Sequence, residues 1–568
     1  MIVSIPTLNV VAPTNGNVNE PNATSTTDGV YYGVIPGNAT PFREAGIEIF
    51  LPVPVCAAGA GCAIPIFDTN PERIRVDSNA ISGQTAIDIA TGAVLTNVLG
   101  VVDHNGSAYT LYTTIAPTIG GAQITAARVP AAPAGALSVV AMNVERLFDT
   151  VNDPNTSDPV LTAGAYTSRL GKISLAIRNN LRAPDVIALE EVENLTTAQD
   201  LATRINNDAA AASQPNPGYV AFLVEGNDIG GIDVAFLVRA TQVSVVSVTQ
   251  LEAATTYISP CTNTAEILND RPPLRLRGTA TKGGQFLDFT VFVNHLRSLI
   301  GIGATTPCAL STDGNRVRAK RAAQANNLAQ LIQDELTANS AARILTVGDF
   351  NAFEVNDGYV DTINTLLGTP PPSTQVANAT SDPPYANMTN LLSLLQGTQR
   401  YSFVFDGNHQ TLDHALINPA AVQQLVGGGY ARLNADFPEI FRGDFNRPER
   451  YSDHDPVFAY LTTASNITAQ TVVRRSGIVY NRTALTATSR VTIRNNTATT
   501  IACPLSLVIT GLPDGVTLTN ANAATGAGAI YNLTAPLAPG QSVIVNLNFS
   551  LNAIDAINYT AAVFSGTL

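Results

Sequence analysis

The chain has 568 residues, 45% of them hydrophobic and 13% charged, with a net charge of −13. That length buries a large core and predicts roughly two to four domains. No run of about eighteen consecutive apolar residues occurs, so no membrane-spanning helix is expected. The acidic balance argues against a broad basic surface that coats nucleic acid.

Lysine occurs only at Lys172, Lys282 and Lys320, tryptophan is absent, and Asn, Thr and Ala are abundant, a bias consistent with a secreted bacterial protein. The opening Met1-Ile-Val-Ser-Ile-Pro6 lacks a basic segment followed by an apolar one, so it does not read as a signal peptide. Export stays open for a mature form. Cys56 and Cys62 bracket a flexible Ala-Ala-Gly-Ala-Gly loop and are expected to pair, as are Cys261 and Cys308, which both follow proline. Cys503 is left over and reads as a buried strand thiol.

Residues 1–24 are rich in Pro, Asn and Thr and predict a loosely held polar arm. From there to residue 135, short alternating runs such as Val30–Val34, Ala93–Val102 and Tyr109–Tyr112 predict an all-β, barrel-like domain that ends in the linker Pro130–Gly135. Residues 136–464 alternate strand-like and helical segments. Leu137–Met142 and Val186–Leu189 are near-continuous apolar runs, as strands buried on both faces would be, and Arg316–Leu336 has helical spacing. Residues 465–568 return to alternating runs divided by turns, which predicts an immunoglobulin-like β-sandwich.

The chemistry sits at strand ends of the central block. Ile344, Leu345 and Val347 read as a short buried strand; Gly348 turns the backbone, and Asp349 and Asn351 follow on one side of it. The same design recurs at Asn143-Val-Glu145, Glu190-Glu191, Asn294-His295, Asp413-His414 and Asp453-His454-Asp455. Each motif alone is an ordinary solvated strand end. Together, with their strands side by side, they place Asn143, Glu145, Glu191, His295, Asp349, Asn351, Asp413, Asp453 and His454 on one rim. Carboxylates packed that closely repel unless a cation neutralises them, and an oxygen-rich set without thiolates favours Mg²⁺, with Mn²⁺ or Ca²⁺ as alternatives.

This set, with Gly348-Asp-Phe-Asn-Ala352 and Ser452-Asp-His-Asp-Pro456, resembles the endonuclease/exonuclease/phosphatase superfamily over residues 136–464. Gly226–Asp233, Asn269–Leu274 and Arg316–Arg321 are similar to segments of its bacterial extracellular nucleases. The resemblance implies an α+β, deoxyribonuclease-I-like domain in four layers, α/β/β/α. It makes Glu191 the principal metal ligand, with Asn143, Glu145 and Asp453 beside the ion. Asp349 would activate the attacking water, Asn351 hold the phosphate, and His295 protonate or stabilise the leaving oxygen. His454, oriented by Asp413, would contact the phosphate or share in activating water. Arg271 and Asn294 would bind substrate. Glu190 stands where the family usually has Gln, placing an extra carboxylate beside Glu191.

Around the motifs, Arg316, Arg318, Lys320 and Arg321 read either as a phosphate-facing stripe or as a solvated helix face. Arg442, Arg447 and Arg450 crowd the loop before Ser452, and Asp233 reads as a strand-start turn. The leading expectation is a secreted, monomeric, metal-dependent nuclease with DNA, or RNA, as its partner and no protein partner implied. The alternatives are a phosphoesterase for a small ester or lipid headgroup, and a non-catalytic surface-binding protein. An arginine-lined groove would favour a polymer; a narrow pocket would favour a small ester.

Overall fold

The computed structural model describes all residues except 53–62, 81–82, 84, 106–107, 155, 283–284, 381–387, 525–528, 553–555 and 567–568. The expected Cys56–Cys62 pair falls outside the described residues.

Residues 2–12 are not a loose arm. They form β1 (Ile2–Ala12), whose inward side chains Ile5, Leu8 and Val10 join a core; alternation prevailed over a polar composition. With β2 (Val30–Val34), β3 (Ile74–Asp77), β4 (Val94–Asn105) and β5 (Ala108–Thr113) it closes a ring in the order β1-β2-β3-β5-β4, and β4 pairs back onto β1.

The central block contains two six-stranded sheets. The first runs β8 (Tyr219–Leu223), β9 (Asp233–Arg239), β7 (Val186–Val192), β6 (Ala136–Leu147), β19 (Val457–Thr462), β18 (Leu425–Tyr430). The second runs β10 (Val243–Gln250), β11 (Leu274–Lys282), β12 (Gln285–His295), β13 (Ile344–Asp349), β17 (Asp413–Ile417), β14 (Thr389–Asn390). Between β14 and β17 lies a separate hairpin, β15 (Phe403–Phe405) and β16 (Asn408–Gln410).

Each sheet has one parallel pair at its centre, β6–β7 and β12–β13. Val139, Ala141, Val186 and Ala188 of one sheet pack against Val291, Val293, Leu345 and Val347 of the other. The opposite face of the first sheet is covered by α1 (Ala163–Leu175) and α2 (Leu195–Ala211) through Ile173, Leu201 and Ile205. That of the second is covered by α3 (Asp313–Ala338) through Leu328 and Ile332. The result is four layers, helix, sheet, sheet, helix, and both faces of the central strands are buried as their apolar runs require.

Residues 465–566 contribute two five-stranded sheets, with Val491, Ile493, Leu507, Ile509, Leu547 and Phe549 in a shared core. Val508, Ile530 and Phe564 of this unit also join the helix-side core of the first central sheet. Cys261 and Cys308 form a disulfide, with Cα atoms 5.4 Å apart, just ahead of α3. Cys503 is partly exposed in the turn before Leu505–Thr510, not a buried strand thiol, because the strand starts only after Pro504.

Two histidines act as neutral core residues. His409 Nε2 lies 2.6 Å from Val11 O of β1, and His414 Nε2 lies 2.7 Å from Ala352 O. Burial lowers each imidazole to about 4. The unfolded chain, with histidines near 6.5, therefore binds more protons than the folded chain once pH falls below that value. Stability is expected to fall as pH drops from about 6.5 towards 4, by about 2 kcal/mol per histidine at pH 5. Urea unfolding at pH 7 and pH 5 checks this: His409→Gln, which keeps a donor for Val11 O, should change the difference between the two pH values by about 2 kcal/mol in favour of pH 5.

Candidate active site

Register brings the polar strand ends together. His295 is the β-partner of Asp349 across the parallel pair, and Asp349 is the partner of Asp413 across the next, antiparallel one. The three side chains thus stand in a row on β12, β13 and β17. Gly348 makes this possible: its φ is +125°, and a Cβ there would lie 2.2 Å from Asn294 O and 2.9 Å from Glu190 Oε1. From the facing sheet, β7 brings Glu191 to the same rim at a break in register, with φ +63°. Glu145, Asn351 and Arg450 also occupy the left-handed region, a concentration of strained non-glycine residues that marks functional sites.

His454 Nδ1 is 2.7 Å from Asp413 Oδ2, which fixes the ring with Nε2 towards the rim, 4.0 Å from Asp349 Oδ2 and 3.9 Å from Asp453 Oδ1. The ring packs on Phe403, centroids 4.8 Å apart. Across the rim, His295 Nε2 lies 3.6 Å from Asp349 Oδ2 and 3.8 Å from Glu191 Oε1. Burial, then Arg271 and His454, hold His295 well below the usual histidine range. His454 behaves oppositely: burial lowers it, but the Asp413, Asp349 and Asp453 carboxylates outweigh burial and hold it well above that range. Burial raises both Glu191 and Asp349, the latter to about 7.

These groups fit a divalent cation. Glu191, His295 and Asp349 each bring one ligand atom within 4.8 Å of the others, as do Asp349, Asp413 and His454. Two desolvated carboxylates face each other with raised affinities for protons, the state a cation relieves. Glu191 and Asp349 are the anionic donors, and Asp453 stands at the exposed margin. Asn143 is in place but turned: its Oδ1 accepts from Glu145 N at 2.7 Å, and its Nδ2 donates to Glu191 Oε1 at 3.0 Å. Asn351 donates its backbone N–H to Asp349 Oδ1 and its Nδ2 to Leu296 O.

Four expectations are corrected. Glu145 is not aimed at the rim: both carboxylate oxygens accept from Arg442 Nη2, at 2.7 and 2.6 Å, because the positive φ turns the side chain away. Asn294 is fully buried and donates to Thr346 Oγ1 and to the carbonyls of Phe292 and Val347, so it ties two strands and meets no substrate. Arg271 bridges Asp228 at 2.6 Å and donates to the carbonyls of His295 and Leu296; it positions His295 from behind. Glu190 points into the space between the sheets with neither carboxylate oxygen hydrogen-bonded, and burial raises it well above the carboxylate range. Burial disfavours its charged form, which sets it apart from the rim carboxylate Glu191.

The basic side chains near the rim are also engaged. Lys320 pairs with Asp270, Arg318 stacks on Tyr359, Arg321 is buried, Arg447 pairs with Glu449 and Arg450 with Glu439. Asp233 accepts from Gly226 N, in keeping with a turn. Sequence reasoning missed Arg169, whose guanidinium holds the carbonyls of Val144, Glu145 and Tyr451, and Phe403, which packs on His454. Neither lies in a recognisable motif.

Residues 138–462, more than half of the chain, match the model of the Endonuclease/Exonuclease/phosphatase family. The chain belongs to this family. Among solved structures it is similar to D. rerio TDP2 complexed with a single-strand DNA product (16% identity, 58% of this chain and 99% of that one, TM-score 0.33). It is also similar to the human Nocturnin catalytic domain with a bound sulfate (14%, 59% and 99%, TM-score 0.32). A third is the endonuclease/exonuclease/phosphatase from Bacteroides vulgatus (12%, 57% and 98%, TM-score 0.33). No curated protein matches the sequence.

Proposed function

We propose that this protein is a secreted, monomeric, divalent-metal-dependent nuclease that hydrolyses DNA or RNA with little sequence preference. The observation that carries the reading is the row His295–Asp349–Asp413–His454 facing Glu191 across one rim. Phosphodiester hydrolysis needs an oriented water, a charge-stabilising group and a donor for the leaving oxygen. A cation held by Glu191, with Asp349, Asn143 and Asp453 around it, would supply Lewis-acid stabilisation of the phosphate charge. Asp349 takes the proton of the attacking water. His454, charged through Asp413, contacts the phosphate, and Asn351 holds it; His295 meets the leaving oxygen. The disulfide and the scarcity of lysine support an extracellular setting. The barrel and the C-terminal unit, read as an immunoglobulin-like sandwich, flank this centre.

A second reading, a phosphoesterase for small esters, is favoured by the pairing of Arg271, Arg442, Arg447 and Arg450 with carboxylates of the chain. Rates on supercoiled plasmid, single-stranded DNA, RNA and small phosphate mono- and diesters, with Mg²⁺ or Mn²⁺, separate the two. The nuclease reading expects polymers to be hydrolysed far faster. Turnover of small esters alone would replace it with the second reading.

A further inference from the structure

The C-terminal unit differs in charge from the rest of the molecule. Residues 465–568 carry five arginines, no lysine or glutamate, and two aspartates, a net of +3 in a chain whose net is −13. Of the aspartates, Asp555 lies outside the described residues, and Asp514 accepts from Thr398 Oγ1 of the central block. Around the rim Arg271, Arg442, Arg447 and Arg450 are all paired with carboxylates. Among the described residues every salt bridge lies within residues 20–455, so no arginine of the C-terminal unit has such a partner.

Strand register gathers three of these arginines. One sheet of the unit packs on the central block through Val508, Ile530 and Phe564. The other contains β20 (Thr471–Arg475), β21 (Thr486–Asn495) and β22 (Ser542–Leu551), adjacent in that order. Val491, Ile493, Leu547 and Phe549 turn into the core, so alternation puts Arg490, Arg494 and Asn546 on the opposite face, where they are exposed. Arg490 and Arg494 flank Thr492, each about 7 Å from it along the strand, and exposed Arg474 is the β-partner of Thr492. Arg494 Nε donates to Gly540 O at 3.1 Å, while the guanidiniums of Arg474 and Arg490 meet no acceptor among the described residues. The three strands contain no acidic residue. Like charges gathered on one sheet face repel one another, and a polyanion relieves that. A guanidinium takes two phosphate oxygens in its fork. The one aromatic ring of these strands, Phe549, is buried, so the face grips a phosphate backbone and stacks on no base.

We propose that the face formed by Arg474, Arg490 and Arg494 holds the phosphate backbone of a nucleic-acid polymer, another part of which lies at the rim. The sheet that carries it is one layer further from the central block than the sheet that docks there, so only a long substrate touches both sites. Holding the polymer raises the local concentration of scissile phosphates at the rim, without preference for sequence. This rests on the nuclease reading of the rim. The three side chains are exposed, which makes their substitution compatible with folding.

The test uses the full chain. Binding of long duplex DNA is followed by fluorescence anisotropy in EDTA over a range of salt. Hydrolysis of the same DNA and of a short oligonucleotide is followed with Mn²⁺. Combining Arg474→Gln, Arg490→Gln and Arg494→Gln is expected to weaken binding of long DNA by about tenfold or more. The slope of log K against log salt should flatten by about 2 to 3, since each phosphate contact contributes about 0.9. KM on long DNA should rise by a similar factor, with kcat and the rate on the short oligonucleotide unchanged. The same three positions changed to Lys should keep most of the binding. Unchanged binding and slope, or an equal loss on the short oligonucleotide, would overturn the proposal. Tighter arginine-dependent binding of alginate, an acidic polysaccharide without phosphate, would overturn it in favour of a surface anchor. Arginine-dependent DNA binding with hydrolysis of neither substrate by wild type would bring down the nuclease reading and leave the binding face in place. Hydrolysis of both without a variant effect removes this proposal alone.

Discussion

Asp413→Asn is expected to lower kcat/KM for phosphodiester hydrolysis about 10³- to 10⁴-fold, with little change in folding. Asp413 is 1% exposed, and its carboxylate lies 2.7 Å from His454 Nδ1. It accepts the Nδ1 proton, so Nε2 is the atom presented to the phosphate, and its charge keeps the ring cationic. An amide of the same shape can present its N–H₂ to Nδ1, which reverses the tautomer and removes the charge. His454→Ala should cost a similar factor. The double variant should cost little more than either single one, because the two residues act as one unit. Steady-state kinetics, with thermal unfolding as the folding control, check the set. Additive losses would separate Asp413 from His454 and leave Asp413 a structural role only.

The second large effect is expected from Gly348→Ala. The new Cβ meets Asn294 O at 2.2 Å, a backbone atom of the paired strand that no side-chain movement can clear, and φ is +125°. Backbone strain together with the clash predicts a loss of roughly 3–5 kcal/mol of stability. Whatever fraction folds has β12 and β13 pushed apart at their ends, so His295 and Asp349 no longer share a register. Activity per folded molecule is expected to fall at least about a hundredfold, since misplacement of this order is costly at a reacting centre. Urea unfolding with active-site titration distinguishes the two effects; a variant as stable as wild type would contradict the reading of the turn.

The layers and the rim were legible because parallel, doubly buried strands write continuous apolar runs, and their polar residues then mark the ends. Val186–Leu189 followed by Glu190-Glu191 is such a run. Glu191 was placed on the rim from its motif, but the inward turn of Glu190, read as an extra carboxylate beside it, was not legible. The left-handed residue at Glu191 and the break in register send Glu190 inward, and no periodicity of two or 3.6 records a bulge. Glu145 was misassigned for a related reason: its partner Arg442 lies 297 residues away and is joined to it only by the fold. Arg271 and Asn294 carry motif positions but spend their hydrogen bonds on backbone and strand neighbours. In β1, Pro6, Thr7 and Asn9 masked an alternation that tertiary closure of the barrel enforces. The hairpin that bears Phe403 and Phe405 carries a turn signal, Asp406-Gly407 with both residues at positive φ, but its strands of three residues each are too short to show a periodicity.

The most direct test of the account is metal-dependent hydrolysis of a phosphodiester polymer by wild type and Glu191→Ala, with Mg²⁺ or Mn²⁺ and then with EDTA. Glu191 is the carboxylate that pairs with Asp349 around His295 Nε2 and, among the described residues, is hydrogen-bonded only by Asn143 Nδ2 and Arg146 N. The account predicts cleavage that requires metal, stops with EDTA, returns on addition of Mn²⁺, and falls by about a thousandfold in a folded Glu191→Ala protein. Cleavage that persists in EDTA, or that Glu191→Ala retains at the wild-type rate, would contradict it.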